Sequence, residues 1–293
     1  MSSVFTLIDG GLSTAIEELG GDVTGRLWTT GLAITDPDLL VRAHRSFVEA
    51  GAEVIATASY QCGARAFEAS GLTPSEARRA LASTTTLAQR AVAGSRTLVA
   101  ASVGPFGASL ADGSEYTGRY GVEWSAVERY HREKLEVLAE SGPDLVAVET
   151  IPLADEARLI ADLLVEFGSP RAWFSFGCAT AAQTYGGHDL SRAVAAIADY
   201  PSLVALGVNC VAPHVVDGAL ATIGRVAPGR ALIAYPNHGR TWDASARTWT
   251  GDESAFTLDG SVDAWVALGA RFIGGCCGVG PAGIARLASR HKA

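Results

Sequence analysis

The sequence predicts an α/β fold, a single (β/α)8 barrel of the TIM type over residues 1–293. Three observations predict it. Eight short apolar runs rich in β-branched residues recur along the chain, as strands buried on both faces should. Helical patterns lie between them, and eight βα units in about 290 residues is the arithmetic of such a barrel. No Ser/Pro-rich linker or shift in composition divides the chain, so one domain is expected. A doubly wound sheet is the rival architecture.

In order, the strand runs are Thr6 to Asp9, Glu53 to Ser59, Thr97 to Val103, Leu145 to Glu149, Ala172 to Phe176, Leu203 to Asn209, Ala231 to Tyr235 and Phe272 to Gly275. Asp36-Pro37-Asp38 caps a helix that runs to Gly51, with Leu40, Ala43, Phe47 and Ala50 on one face. Thr73-Pro74-Ser75-Glu76 opens a second helix, which ends near Gly94. Val127, Tyr130, Lys134, Leu135 and Leu138 mark a third, stopped by Gly142-Pro143. Further helices fit about 155–167, 188–199, 214–227, 259–269 and 281–290. Residues 104–124, rich in glycine and aromatics, exceed an ordinary βα loop and follow the third strand. They are expected to sit over the strand ends, where barrel active sites lie.

Composition narrows the function. Apolar residues at 48% and charged residues at 18% describe a folded globular chain. A net charge of −8 argues against nucleic acid and anionic membranes as partners and is compatible with a small cationic substrate. Met1-Ser2-Ser3-Val4 does not begin a signal peptide, and no apolar run is long enough to cross a bilayer. Five cysteines in a chain of this length fit a reducing compartment, so a cytoplasmic protein is expected, a monomer or a small homo-oligomer.

The chemistry gathers where strands end. Asp9-Gly10-Gly11, Thr57-Ala58-Ser59, Glu149-Thr150, Asn209-Cys210, Pro236-Asn237 and Cys276-Cys277 all fall at such ends, and in a barrel they face one bowl. Within that set Cys210 and the doublet Gly274-Gly275-Cys276-Cys277-Gly278 invite a metal reading. Three thiolates with one open position make a catalytic Zn²⁺ site able to hold and activate a substrate thiol. The alternatives are three inert buried thiols or a strained vicinal disulfide. Cys62 and Cys178 are assigned to packing, and His238 to a loop role. Trp28, Tyr60 and Tyr116 are candidates to face a cationic ligand. Gly278-Val279-Gly280-Pro281-Ala282-Gly283 matches a dinucleotide fingerprint but lacks the following strand and acidic residue.

Several motifs occur together and in order: Asp9-Gly10-Gly11, Ile55 to Gln61, Ser102-Val103-Gly104-Pro105, Ala111-Asp112-Gly113-Ser114-Glu115-Tyr116, Gly207-Val208-Asn209-Cys210 and Gly274-Gly275-Cys276-Cys277. On these the chain resembles the homocysteine S-methyltransferase family over essentially its full length. The resemblance implies a zinc-bearing barrel with Cys210, Cys276 and Cys277 as ligands. It implies that Asp9 and Glu149 hold the homocysteine amino group. Asn209, Thr57 and Ser59 would line the same pocket, with Gly11 beside Asp9, and Trp28 matches an aromatic position near the methyl donor. The Ala111–Tyr116 stretch is most similar to the branch that uses S-methylmethionine or S-adenosylmethionine.

The expected reaction is therefore methyl transfer from a sulfonium donor to homocysteine, giving methionine. Alternatives are another thiol or selenol acceptor, betaine as donor, a zinc-binding module without catalysis, and a thiol oxidoreductase built on Cys276-Cys277.

Overall fold

The structure, a computed structural model, describes residues 4–25, 27–63, 66, 67, 70–239, 241–243, 248–250 and 258–291. Eight parallel strands close into a barrel. They are β1 (Thr6–Leu7), β2 (Val54–Ala56), β3 (Leu98–Val103), β4 (Leu145–Ile151), β5 (Ala172–Phe176), β6 (Leu203–Asn209), β7 (Leu232–Tyr235) and β10 (Ala270–Ile273). The hydrogen-bonded order is β1-β10-β7-β6-β5-β4-β3-β2, with every neighbouring pair parallel. A parallel bridge between Ile8 and Val54 joins β1 to β2 and completes the ring. There the Glu53 N–H donates to Leu7 O at 2.7 Å and the Asp9 N–H to Val54 O at 3.0 Å.

Two packed layers hold the barrel. Its interior is filled by Ile8, Val54, Ala100, Leu145, Ala147, Trp173, Ala205, Ile233 and Tyr235. Alanines on three of the strands leave the volume that Trp173 fills, the alternation of large and small that a closed sheet needs. The outer layer packs the strands' other faces against the helices. Among these are α3 (Pro37–Glu49), α4 (Pro74–Val92), α5 (Trp124–Glu140) and α6 (Ala154–Glu166). Their starts follow the capping chemistry. Asp36 accepts from the Leu39 N–H at 2.9 Å, and Thr73 and Glu76 form a reciprocal capping box.

The structure departs from the expected elements in four places. Two helices, α1 (Leu12–Glu18) and α2 (Trp28–Thr35), occupy the segment before Asp36. The first is short, and the second mixes threonine and glycine with apolar residues, so neither carries a clear period. The segment after β7 holds an antiparallel hairpin, β8 (Thr241–Asp243) with β9 (Thr248–Thr250), that no apolar alternation announced. The expected helix over 188–199 is regular only at Leu190–Ala195. Finally, the runs through Asp9, Ser59 and Gly275 overshoot β1, β2 and β10. Their last residues leave the ladder and bond between loops, as where the Gly275 N–H donates to Asp9 O at 3.0 Å.

Residues 104–124 fold as two short 3₁₀ turns, Phe106–Leu110 and Ser114–Tyr116. Glu156 at the start of α6 ties both ends of this segment down. It accepts from the Phe106 N–H at 2.6 Å, from Tyr120 Oη at 2.5 Å, and from the buried His131 ring at 2.8 Å. Among the described residues, no helix is long and apolar enough to cross a membrane.

Candidate active site

The C-terminal ends of the strands surround a cavity of about 920 Å³, of a size that suits small-molecule ligands. Cys210, Cys276 and Cys277 line it. After β10 the chain turns sharply through the doublet, with the Cys276 N–H donating to Pro236 O at 2.8 Å and the Val279 N–H to Cys276 O at 3.0 Å. Gly10 and Gly11 let the first strand end press on this turn. A Cβ at Gly10 would stand 2.1 Å from Val279 O, and one at Gly11 2.7 Å from Cys276 O. Cys210, just past β6, has φ +50°, an uncommon conformation for a residue with a side chain. Its carbonyl accepts from Tyr185 Oη at 3.1 Å and its N–H donates to Tyr235 O at 3.2 Å, so the turn is held at both ends.

These turns bring three sulfurs together. Cys277 Sγ lies 3.8 Å from Cys210 Sγ and 4.0 Å from Cys276 Sγ, and all three lie within 4.8 Å of one another. A tetrahedral zinc with Zn–S bonds of ~2.3 Å requires S···S edges of about 3.8 Å. The spacing and the donor set both fit a metal with one position open to the cavity. Thiol hydrogen bonds from Cys276 and Cys277 hold Cys210 well below the usual thiol range, while sharing protons with Cys210 pushes the other two up. The buried Cys210 and the half-buried doublet thus form one sulfur cluster whose remaining protons a bound cation would displace. Tyr116 Oη stands 3.7 Å from Cys210 Sγ. Cys62 and Cys178 lie outside the cluster, each buried and directed at a backbone carbonyl, Leu27 O and Phe176 O.

Two buried carboxylates line the same cavity. Asp9 accepts from the Ala56 N–H at 2.8 Å, yet burial raises it well above the usual carboxylate range, and the charge of Glu149 adds to the rise. Burial pushes Glu149 up to about 7, against the opposing effect of two hydrogen bonds. One comes from Ser102 Oγ to Oε1, the other from Tyr235 Oη to Oε2 at 3.1 Å. Two such groups beside one another are poised for a cationic partner, which would restore the charged form of both.

The position of Glu149 has a backbone cause. The pairing of β4 with β5 shifts register between Val148 and Ile151, and Thr150 has φ +59°, a strained state for a β-branched residue. Asn209 holds that strain. Its Oδ1 accepts from the Thr150 N–H at 2.6 Å and from Ser175 Oγ at 2.8 Å, and its Nδ2 donates to Thr150 Oγ1 at 2.7 Å. Asn209 lines the cavity and braces the Glu149 turn at the same time.

The remaining expected residues divide. Gly11, Trp28 and Thr57 line the cavity. Ser59 does not reach its wall; it is fully buried and donates to Ser102 O at 2.7 Å, with Thr57 Oγ1 at 2.7 Å on its other side. The Trp28 and Tyr60 rings meet edge to face at 6.2 Å, and Tyr116 meets Tyr185 likewise at 5.3 Å. His238 also faces the cavity, packed over the Gly278 turn, where a Cβ would stand 2.2 Å from its ring. Ser102, Tyr235 and Glu115 were not named as site residues from sequence, although Ser102 and Glu115 fall in motifs that carry the family resemblance. The first two occupy strand ends, the signal that selected the others.

Comparison with known proteins agrees with this geometry. Residues 6–291 match the family model described as homocysteine S-methyltransferase. The chain is 38% identical to homocysteine S-methyltransferase of Escherichia coli strain K12, over 97% of this chain and 94% of that one. It is 33% identical to the selenocysteine Se-methyltransferase of Brassica oleracea var. italica, over 98% and 90%. The crystal structure of the Escherichia coli homocysteine methyltransferase MmuM in its metallated form superposes with a TM-score of 0.87 at 35% identity, covering 99% of this chain and 97% of that one.

Proposed function

The chain belongs to the homocysteine S-methyltransferase family, and from that premise we propose that it transfers a methyl group from a sulfonium donor, S-methylmethionine or S-adenosylmethionine, to homocysteine in a zinc-dependent reaction. The observation that carries the reading is the presence, in one cavity, of three clustered thiols at a spacing that suits a metal and two buried carboxylates.

Cys210, Cys276 and Cys277 would hold the zinc, which supplies a Lewis acid able to keep a fourth, substrate sulfur as a thiolate at neutral pH. Everything else falls to the protein. Asp9 and Glu149 take the acceptor's ammonium group, and Ser102 and Tyr235 hold the Glu149 carboxylate in place for it. Asn209 keeps the Glu149 turn in its strained form. Fixing the amine fixes the direction of the acceptor sulfur, so binding supplies orientation. That sulfur attacks the donor's methyl carbon, the new S–CH₃ bond forms, and the old one breaks with its electron pair left on the donor sulfur. The thiol proton is released to solvent when the acceptor binds as the thiolate, before the attack, and two neutral thioethers result. Opposite charges cancel in the transition state, which a dry, low-dielectric cavity does not oppose. Trp28 and Tyr60 present aromatic surface toward the donor's cationic sulfur.

X-ray absorption of the zinc-loaded protein tests the metal reading. It should show three sulfur ligands and one lighter atom, changing to four sulfurs with homocysteine. Two or fewer protein sulfurs, or no change with homocysteine, contradicts it. A selenol acceptor is the second reading, since one relative is named for selenocysteine. The same cavity chemistry would serve it, and the ratio of rates with homocysteine and selenocysteine decides.

A further inference from the structure

Asp9 and Glu149 are assigned above to the acceptor's amine, and both line the cavity. The Ser114–Tyr116 turn brings a third carboxylate, Glu115, to the same cavity. Its Oε2 is buried and, among the described residues, has no hydrogen-bond partner. Buried acceptors are rarely left this way without a water, an ion or a ligand to complete them. Its charge opposes ionisation of the Tyr60 and Tyr116 hydroxyls, which line the same cavity, and burial pushes its own carboxyl up to about 7.

The turn that carries it is rigid. Asp112 Oδ1 accepts from the Ser114 N–H at 2.9 Å and from Ser114 Oγ. The preceding 3₁₀ turn packs so closely that a Cβ at Gly107 would stand 2.6 Å from the Glu115 nitrogen. The carboxylate is therefore presented by a fixed backbone, as a recognition group requires.

An amino-acid sulfonium donor carries two positive charges, one on sulfur and one on its α-amine. The sulfonium charge disappears as the methyl group moves, so a carboxylate against it would favour the ground state and slow the reaction. The ammonium charge persists unchanged, and a carboxylate against it strengthens binding without that penalty. We propose that Glu115 is a donor-specificity residue whose carboxylate receives the α-ammonium group of the sulfonium methyl donor. The assignment rests on the sulfonium-donor reading given above.

The test compares S-methylmethionine with its deamino analogue, 4-(dimethylsulfonio)butanoate, on zinc-loaded wild type and Glu115→Gln. The wild type should favour the amine-bearing donor in kcat/KM by roughly 10- to 150-fold, the range of one charge-assisted hydrogen bond. In the variant the two donors should become equivalent within about threefold by the same reasoning, with zinc content and the KM for homocysteine unchanged. A wild type indifferent to the amine, or a variant that keeps the preference, overturns the proposal. So does a variant whose homocysteine KM rises instead. Failure of the sulfonium-donor reading itself would show separately, as a wild type that turns over neither S-methylmethionine nor S-adenosylmethionine.

Discussion

Replacing Glu149 by glutamine keeps the shape of the side chain and removes its charge. The two donors that reach it, Ser102 Oγ and Tyr235 Oη, can still bond the amide oxygen or accept from its nitrogen. What is lost is the charged half of the contact to the acceptor's ammonium. A hydrogen bond to a charged group contributes about 1.5–3 kcal/mol, which converts to about a 10- to 150-fold rise in the KM for homocysteine. The KM for the donor and the bound zinc should not change. The same substitution acts on stability in the opposite sense. Burial raises Glu149 to about 7 against 4.5 for an unburied glutamate. A carboxyl raised on folding contributes stability that is fully present below its unfolded value and is lost as pH rises through 7. The wild-type apoprotein therefore carries a cost of about 3 kcal/mol from this group above pH 7, absent at pH 4. Glu149→Gln apoprotein should melt higher than wild type at pH 8 and not at pH 4, while binding homocysteine worse. Steady-state kinetics and calorimetric melting at both pH values check both halves. An unchanged KM for homocysteine would refute the clamp, and a lower melting temperature at pH 8 would refute the account of its burial.

Three further outcomes follow from the same geometry. Cys276→Ser should lose tight zinc binding and activity together, measured as metal per chain after dialysis alongside turnover; full activity in metal-free protein would contradict the thiol site. Asn209→Ala should orphan the buried Thr150 N–H, costing about 1–3 kcal/mol in urea unfolding, and should weaken homocysteine binding because the Glu149 turn relaxes. Glu156→Ala should release both ends of the 104–124 segment, so trypsin should cut faster after Arg119, and the orphaned Phe106 N–H and buried His131 ring should lower the melting temperature as well; equal cleavage rates would show that the segment is held by other contacts.

The fold was legible because buried parallel strands announce themselves as continuous apolar runs. Each barrel strand falls on one of the eight, although β1, β2 and β10 end earlier than the runs do. The short α1 and the mixed α2 were not legible, since neither carries a clear helical period. Clustering of Cys210, Cys276 and Cys277 could be anticipated from strand ends alone, because the barrel topology forces those ends into one bowl. The bulge at Thr150 could not, since nothing in Glu149-Thr150-Ile151 distinguishes a strained turn from a plain strand. Ser59 shows the limit of the same rule. It lies at the expected level but points away from the cavity into the contact between β2 and β3. Tyr235 shows the converse, an apolar-run residue whose hydroxyl serves the site. Side-chain direction at a strand end depends on where the ladder stops, and that is set by loop contacts distant in sequence.

The most direct test of the account is methionine formation from homocysteine by zinc-loaded protein, run in parallel with S-methylmethionine, S-adenosylmethionine and betaine, before and after the zinc is stripped. The account predicts turnover with a sulfonium donor, none with betaine, loss of activity on stripping and its return with added zinc. Turnover that survives complete removal of the metal, or turnover with betaine alone, would contradict it.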